Sequence, residues 1–316
     1  MHRGGSGKEK KMKIFKGVYC VIPTPFSQDQ EFDSKAKKVL GRVVDFVIQA
    51  RAHGVIPAAG SGEFFLLSES ERKELIRITV DQVNGRIPVV AGAGAASTKE
   101  AIMYSKYAEQ AGADGVMIIA PYYSLPTHDE IYRFYEEIAA AISIPIMVYN
   151  DPFPTGVDIS PKLLSRLSEI GNVNSIKESS MDLTRIQHIK RLCGDRITYF
   201  FGNDHPSLDA FLLGAEGWVP SAYFVPLAVK LYENIVEEKN TQKAKETYEK
   251  LLEIVEPADE GELSNPSSYV AVQKVAFELM GISVGPPRSP LSSLTEEAKN
   301  LLREKMTKAG LFSRQR

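Results

Sequence analysis

Cysteine is scarce in this sequence, which has only Cys20 and Cys193 among its 316 residues. Neither lies in a Cys-x-x-Cys pair, and two cysteines are too few for a disulfide framework or a zinc cage. We therefore expect two reduced thiols, which fits a protein of the reducing cytoplasm. The five histidines also lack a ligand spacing such as His-x-x-x-His, so we expect no metal site.

Long apolar runs and an excess of one charge are missing as well. No stretch of 18 apolar residues occurs, so we expect no membrane-spanning segment. The 38 basic residues nearly balance the 40 acidic ones without forming a basic stripe, which argues against a nucleic-acid partner. Residues 1–12 are charged and glycine-rich, unlike a secretory signal. We interpret them as a flexible leader, with Met12 as an alternative start.

Short apolar runs alternate along the chain with longer amphipathic stretches. The runs are rich in Val, Ile, Tyr and Phe and are bounded by Gly, Pro or Asn, which is typical of β-strands. Eight of them occur, at 17–23, 54–59, 87–91, 115–120, 145–149, 173–177, 197–201 and 217–221. Strands that alternate with helices pair in parallel, and eight such units close a barrel. The sequence thus predicts an α/β fold, a (β/α)8 TIM barrel over residues 13–230.

Helix starts are marked by capping boxes, in which Ser or Thr is followed three residues later by Glu. Such boxes occur at 68–71, 97–100 and 127–130, and Ser160 precedes a proline suited to a first helical turn. Beyond about residue 225 the strand patterns stop. We expect helices at 231–255 and 294–308, separated by a Pro- and Ser-rich stretch, the second starting at a box from Ser293 to Glu296. These helices would form a C-terminal helical annex over residues 231–316.

Active sites of such barrels lie at the carboxyl ends of the strands, and Lys177 ends the sixth strand. Val173, Ser175 and Lys177 share one face of that strand, because strand side chains alternate. Ile176 lies on the other face, so Lys177 points into the barrel mouth. Burial lowers the pKa of an ammonium group, and a neutral lysine is the nucleophile that forms Schiff bases with carbonyl compounds. A lysine that reaches the rim or pairs with Glu178 is the alternative.

Two further strand-end residues offer acid–base and anion-binding groups. Tyr149 shares a strand face with Met147 and also points inward, and a tyrosine beside a Schiff-base nitrogen can relay protons. Ser61 lies in a glycine-flanked turn, where its hydroxyl and the backbone N–H groups suit a carboxylate. Taken alone, Tyr149 fits equally a ring that fills the barrel, and Ser61 fits an ordinary turn.

Four strand-end segments, taken in order, resemble the family of dihydrodipicolinate synthase and N-acetylneuraminate lyase, the class I pyruvate-type aldolases and lyases. They are Gly-Ser-Gly-Glu at 60–63, Pro-Tyr-Tyr at 121–123, Tyr-Asn-Asp-Pro at 149–152 and Ile-Lys-Glu at 176–178. The resemblance extends from about residue 17 to 227. It implies an enzyme that acts on a 2-oxo acid, either pyruvate or a keto-deoxy sugar acid. It also implies no cofactor, because the lysine imine itself is the electron sink.

The resemblance assigns roles residue by residue. Lys177 matches the Schiff-base lysine of the family, and Tyr149 matches its proton-shuttling tyrosine. Tyr123 matches the tyrosine that the synthases pass across a subunit interface, which implies a homo-oligomer, a tetramer or a dimer. The substrate-binding positions at the remaining strand ends, including the carboxylate cradle, are Gly60, Ser61, Gly202 and Ser221.

Two departures separate this chain from the synthases. The synthases carry a hydroxyl residue where this chain has Gly60, and an arginine for the second substrate's carboxylate where it has Pro154. Both losses favour a keto-deoxy sugar-acid dehydratase or aldolase, whose loop the segment at 59–65 resembles. Three alternatives stay open: an authentic 4-hydroxy-tetrahydrodipicolinate synthase, a non-catalytic 2-oxo-acid-binding barrel, and a phosphate-binding isomerase with a glycine-rich grip near Gly202 and 214–217.

Overall fold

The structure, a computed structural model, describes residues 14–259, 263 and 269–311, so the leader expected at 1–12 lies outside the described residues. Each described strand overlaps one of the eight apolar runs, which confirms the predicted strands. They are β1 (Gly17–Val21), β2 (Gly54–Ile56), β3 (Val90–Gly92), β4 (Gly115–Ile119), β5 (Ile146–Asn150), β6 (Val173–Glu178), β7 (Thr198–Phe201) and β8 (Gly217–Trp218).

All neighbouring strands are parallel, in the spatial order β2-β1-β8-β7-β6-β5-β4-β3. The two ends of this sheet meet at a single bridge between Val55 and Val89. There the N–H of Val55 donates to the carbonyl of Pro88 at 3.0 Å. The predicted TIM barrel is therefore confirmed, and it brings the carboxyl ends of all eight strands to one mouth.

The described helices surround this barrel and continue beyond it. Ser68 and Thr127 form the predicted reciprocal capping boxes, and Ser97 accepts from the N–H of Glu100. The helices are α1 (Ser34–Gln49), α2 (Glu69–Val83), α3 (Thr98–Ala111), α4 (His128–Ala141), α5 (Pro152–Thr155), α6 (Pro161–Leu167), α7 (Thr184–Cys193), α8 (Ser207–Leu212), α9 (Val225–Tyr232), α10 (Thr241–Asp259), α11 (Tyr269–Leu279) and α12 (Glu296–Lys308).

Apolar side chains pack on both faces of the strands, because successive side chains of a strand point to opposite faces. Met147 and Tyr149 belong to the cluster inside the barrel, whereas Ile176 belongs to the layer between strands and helices. Val173, expected on the same face as Lys177, packs in the outer layer instead. The register between β5 and β6 shifts between Ile146 and Met147, and this irregularity explains the change of face.

The annex differs from its prediction at two helix boundaries. The helix expected at 231–255 is interrupted, because a π-helical turn over Glu233–Glu237 separates α9 from α10. The last helix does not start at the box from Ser293. Thr295 is its cap and accepts from the N–H of Ala298, while Leu294, just before the cap, is buried against the core. A capping residue preceded by a buried apolar residue fixes the entry of the chain into a helix.

The helix α11 has no counterpart in the sequence prediction. It packs against the turn at 60–62 and against the turn that follows β8. The side chain of Gln273 accepts from the N–H of Ala222 at 2.8 Å and donates to the carbonyl of Ser61 at 3.4 Å. The annex thus reaches the mouth of the barrel and contacts loops that hold predicted site residues.

The cysteines, the helix hydropathy and the potential metal ligands can now be located in the structure. Cys20 and Cys193 are both buried and free. Within residues 14–259, 263 and 269–311, no helix is long and apolar enough to cross a membrane. Over the same residues, no group of three or more His, Cys, Asp and Glu side chains is arranged to hold a metal ion.

Candidate active site at the mouth of the barrel

Lys177 lies near the end of β6 and is almost fully buried, with 7% of the residue exposed. Its Nζ lies 4.1 Å from the centre of the Tyr149 ring, which is its neighbour in the ladder between β5 and β6. Burial lowers the pKa of Lys177 to about 8, although the carboxylates of Asp151 and Asp204 oppose this shift. The site therefore holds an amine that is partly neutral near physiological pH.

Glu178, the alternative partner for Lys177, points to the opposite face of β6. Its Oε2 accepts from Arg185 at 3.0 Å, and its Oε1 accepts from Asn150 at 2.9 Å. Asn150 in turn accepts from the N–H of Ile159 at 2.8 Å. This buried network fixes the end of β5 against β6 and engages the Glu178 carboxylate away from Lys177.

Tyr149 forms a hydrogen-bonded pair with Asp151 at the end of β5. The phenol donates to Oδ2 of Asp151 at 2.7 Å. Burial raises the pKa of Tyr149 well above its usual value, and the nearby Asp151 charge adds to this effect. Burial also raises the pKa of Asp151, although the Tyr149 hydrogen bond and the Lys177 charge oppose the rise. Three proton-exchanging groups, an amine, a phenol and a carboxyl, thus lie together.

The loops after β7 and β8 complete the walls around Lys177. A Cβ placed on Gly202 would lie 3.0 Å from Cε of Lys177 and 2.1 Å from Oγ of Ser179, so only glycine leaves room for the lysine stem. The Ser221 hydroxyl donates to Oδ2 of Asp204 at 3.2 Å. The structure therefore brings the predicted positions 202 and 221 to the same mouth as Lys177.

The predicted carboxylate cradle is a short 3-10 turn over Gly60–Gly62. The N–H groups of Gly60 and Ser61 are the first of this turn and have no acceptor within it. Gly60 and Tyr149 line one small cavity. A Cβ on Gly60 would have the Tyr269 hydroxyl as its neighbour, at 3.7 Å. The turn therefore shares this cavity with Tyr149, with a tyrosine of α11 above it.

The end of this turn is held by two residues of the C-terminal annex. Glu63 adopts a left-handed backbone conformation with φ of 58° and is completely buried. Nζ of Lys274 lies 2.6 Å from its Oε1, and the N–H of Arg288 donates to its Oε2 at 2.7 Å. Arg288 also binds Glu71 at 2.6 Å and lowers the pKa of that carboxyl to about 2. The annex thus fixes this turn rather than only flanking the barrel.

Tyr123 does not reach the site of its own chain. It has a left-handed backbone conformation with φ of 76°, and 97% of the residue is exposed. The adjacent Tyr122 is half-buried and packs edge-on against Phe64. The role of Tyr123 at a neighbouring subunit therefore stays a prediction.

Several residues of the site were not identified from the sequence. Asp151 lies within the strand-end segment at 149–152, Asp204 lies two residues after Gly202, and their acidic side chains were the available signal. Tyr269, Lys274 and the other annex contacts gave no local signal, because they lie more than 200 residues from the turn that they contact.

Comparison with known proteins gives a consistent family assignment. The family model described as the dihydrodipicolinate synthetase family matches residues 14–309. A protein of Syntrophus aciditrophicus (strain SB), named 4-hydroxy-tetrahydrodipicolinate synthase, is 36% identical over 300 residues. That alignment covers 95% of this chain and 100% of the relative.

Solved structures of the same family share the fold. The crystal structure of dihydrodipicolinate synthase from Thermotoga maritima is similar with a TM-score of 0.87 and 30% identity, covering 95% of this chain and 100% of the other. The structure of YagE, an E. coli K12 prophage protein of the dihydrodipicolinic acid synthase family in complex with pyruvate, gives a TM-score of 0.87 and 29% identity. Coverage is again 95% of this chain and 100% of the other.

Proposed function

The chain belongs to the dihydrodipicolinate synthetase family of class I aldolases and lyases, and from this premise we propose that it forms a Schiff base between Lys177 and a 2-oxo acid. The observation that carries the proposal is the buried amine of Lys177, 4.1 Å above the Tyr149 ring, with its pKa lowered to about 8. YagE, whose structure contains pyruvate, supports a 2-oxo acid as the ligand class. The imine serves as the electron sink, so no metal or organic cofactor is required.

The proposed reaction passes through a carbinolamine, an imine and an enamine. The neutral amine of Lys177 attacks C2 of the 2-oxo acid, a nitrogen–carbon bond forms, and the carbonyl oxygen takes up a proton. The carbinolamine then loses its hydroxyl as water, which leaves a protonated imine. Electrons from a C–H or C–C bond at C3 flow into this imine and form an enamine, so that a carbon–carbon bond is broken or made, or a hydroxyl at C4 leaves as water. Tyr149 moves protons at these steps.

The pH dependence of imine formation follows from the lowered pKa of Lys177. Only the neutral amine attacks, so the rate should rise with pH and level off above about pH 8. A lysine of pKa 10.5 would still gain tenfold in rate per pH unit up to about pH 10. The check is the initial rate of borohydride-trapped pyruvate adduct between pH 6 and 10. Continued acceleration up to pH 10 would contradict the shifted amine. The charges of Asp151 and Asp204 act on this amine and contribute to the profile, whereas the Tyr149 ring beside it is neutral over this range.

We propose that the carboxylate of the 2-oxo acid binds the turn Gly60–Gly62, with Gly202 and Ser221 at the other side of the mouth. Ser61→Ala removes one hydroxyl donor and leaves the backbone N–H groups. The loss of one hydrogen bond to a charged group costs about 1.5–3 kcal/mol, so the Kd for pyruvate should rise roughly tenfold or more. Titration calorimetry measures this change. The exposed Ser143→Ala is the control, and an unchanged Kd in Ser61→Ala would place the carboxylate elsewhere.

We propose that the physiological assembly is a homo-oligomer, a tetramer or a dimer, located in the cytoplasm. The nearly complete exposure of Tyr123 supports this proposal, because a large aromatic residue at a loop tip is typical of an interface. In such an assembly Tyr123 would enter the mouth of a neighbouring barrel.

The substrate that the site fits best is a hydroxylated 2-oxo acid such as a keto-deoxy sugar acid. Pro154, at the place of the synthases' arginine, has no side-chain donor and is exposed in the short turn α5. Arg166, the next arginine along the chain, binds Asp129 at 2.9 Å on the outside of the barrel. The second candidate is 4-hydroxy-tetrahydrodipicolinate synthase, which is favoured by the name of the relative from Syntrophus aciditrophicus.

A side-by-side assay decides between these two functions. We expect weak condensation of pyruvate with aspartate semialdehyde, beside clear turnover of a keto-deoxy sugar acid. Pro154→Arg should raise the condensation by roughly tenfold, because it restores a charged donor for the semialdehyde carboxylate. Faster condensation than sugar-acid turnover in the unmodified protein would make the synthase the answer. Adduct formation without turnover of either substrate would indicate a 2-oxo-acid-binding protein.

A further inference from the structure

Tyr149 is poorly suited to exchange protons by itself. Its phenol is buried, with 9% of the residue exposed, and its pKa is raised well above the usual value of a tyrosine. A group with such a pKa holds its proton at neutral pH and needs a partner that both gives and accepts protons there. The titratable group in contact with the phenol is Asp151, whose Oδ2 accepts from it at 2.7 Å.

The surroundings of Asp151 suit a carboxyl group that exchanges protons better than one that stays ionised. Burial raises the pKa of its carboxyl, while the charge of Lys177, the Tyr149 phenol and the N–H of Phe153 oppose the rise. The charge of Asp151 acts on the Tyr269 hydroxyl of α11, and Asp204 acts on Lys177 from the loop after β7.

Tyr269 extends from the mouth of the barrel to the solvent. Its hydroxyl lies 3.7 Å from the place of a Gly60 Cβ, whereas 48% of the whole residue is exposed. Burial of the hydroxyl and the charges of Asp151 and Glu63 raise its pKa. The residue therefore has its polar end in the mouth and its ring edge in contact with solvent.

We propose that Asp151 is the proton-exchange partner of Tyr149 and that the Tyr269 hydroxyl links Asp151 to solvent. The inference rests on the imine chemistry proposed above. When the carbinolamine C–O bond breaks, Tyr149 gives its proton to the departing hydroxyl, Asp151 in its protonated form gives a proton to the phenolate, and solvent reprotonates Asp151 through Tyr269. When the proton at C3 is removed, Tyr149 takes it up and passes its own phenol proton to the ionised Asp151, which releases it to solvent through Tyr269. Asp151 and Tyr269 are positioning residues in this scheme, because they act through Tyr149.

A purely structural role for Asp151 makes a different prediction. The residue directly precedes the single turn α5, where its side chain makes no capping hydrogen bond, so its structural contact is the acceptance of the Tyr149 phenol at 2.7 Å. Asparagine also accepts from the Tyr149 phenol, but it cannot exchange a proton. Asp151→Asn therefore separates the two roles, with Asp129→Asn on the exposed surface of α4 as its matched control.

The exchange of the pyruvate C3 hydrogens with deuterium oxide, followed by NMR, is the assay. It requires an imine and proton removal at C3, but no knowledge of the natural substrate. We expect Asp151→Asn to slow the exchange roughly 10²-fold, with little change in KM, and to remove the acidic limb of its pH profile. The trapped adduct on Lys177 should still form after long incubation. Asp151→Glu, which keeps a carboxyl, should retain the acidic limb.

The Tyr269 link has its own test, which uses the space above Gly60. Tyr269→Phe should slow the exchange roughly tenfold. Adding Gly60→Ser to that variant should recover most of the rate. Position 60 accepts a side chain, because among the described residues a Cβ there meets only the hydroxyl that Tyr269→Phe removes, and its φ lies outside the left-handed region. Tyr107→Phe, on the outer face of α3, is the matched control.

The outcomes are distinguishable. Normal exchange in Asp151→Asn, or an acidic limb that persists there, would overturn the role of Asp151. A raised KM with unchanged exchange in Tyr269→Phe, or no recovery with Gly60→Ser, would overturn the link to solvent. Absence of any adduct in the unmodified protein would instead refute the proposed imine chemistry itself.

Discussion

Lys177→Ala is expected to abolish both the trapped pyruvate adduct and turnover. The side chain supplies the only atom that becomes covalently bonded to substrate in the proposed reaction, so no neighbouring group can substitute for it. Incubation of the unmodified protein with pyruvate and borohydride should add one reduced adduct, which intact mass detects and peptide mapping assigns to Lys177. The same treatment of the variant should add none.

The specificity of this result depends on a second buried lysine. Burial also lowers the pKa of Lys274 to about 8. Its Nζ, however, is held 2.6 Å from Glu63 and 2.8 Å from the carbonyl of Pro286. An amine that is engaged by a carboxylate is a poor nucleophile, so an adduct on Lys274 would contradict the assignment. Lys106→Ala, on the exposed face of α3, is the control for the loss of one lysine. Lys177→Met fills the space that alanine leaves empty, so it tests whether a loss of turnover in Lys177→Ala reflects that cavity.

The parts of the fold that the sequence predicts are those set by local patterns. The apolar run that becomes β4 is bounded by Gly115 and by Pro121, and such boundaries fix a strand without knowledge of its neighbours. The side-chain alternation likewise placed Tyr149 and Lys177 on the inner face. Alternation failed at Val173, where the register between β5 and β6 shifts. A shift of this kind depends on the pairing of two strands and leaves no mark in either alone.

The parts that the sequence does not predict depend on contacts between distant segments. The helix α11 is buried along most of its length, from Val270 to Phe277, so it lacks the apolar stripe that reveals a surface helix. Its valines also favour a strand by local preference. For this reason Tyr269 and Lys274 could not be assigned to the mouth of the barrel, although they contact the turn at 60–63 there.

Tyr149→Phe is expected to reduce turnover roughly 10²-fold, which is the usual contribution of a positioned general acid–base group. The variant keeps the aromatic ring, which lies 4.1 Å from Nζ of Lys177, so the packing around the amine is preserved. It removes only the hydroxyl that donates to Asp151 at 2.7 Å. Steady-state turnover and the rate of adduct formation are the measurements.

A matched tyrosine separates catalysis from stability in this test. Tyr199 on β7 is also buried, but its hydroxyl has no hydrogen-bond partner among the described residues. Tyr199→Phe should therefore leave turnover unchanged. If turnover in Tyr149→Phe is as high as in Tyr199→Phe, the Tyr149 ring only fills the barrel, and another group transfers the proton to the imine. If Tyr149→Phe slows turnover while pyruvate still forms the adduct on Lys177 at a reduced rate, the impaired step is proton transfer, because the variant keeps the amine and lacks only the phenol.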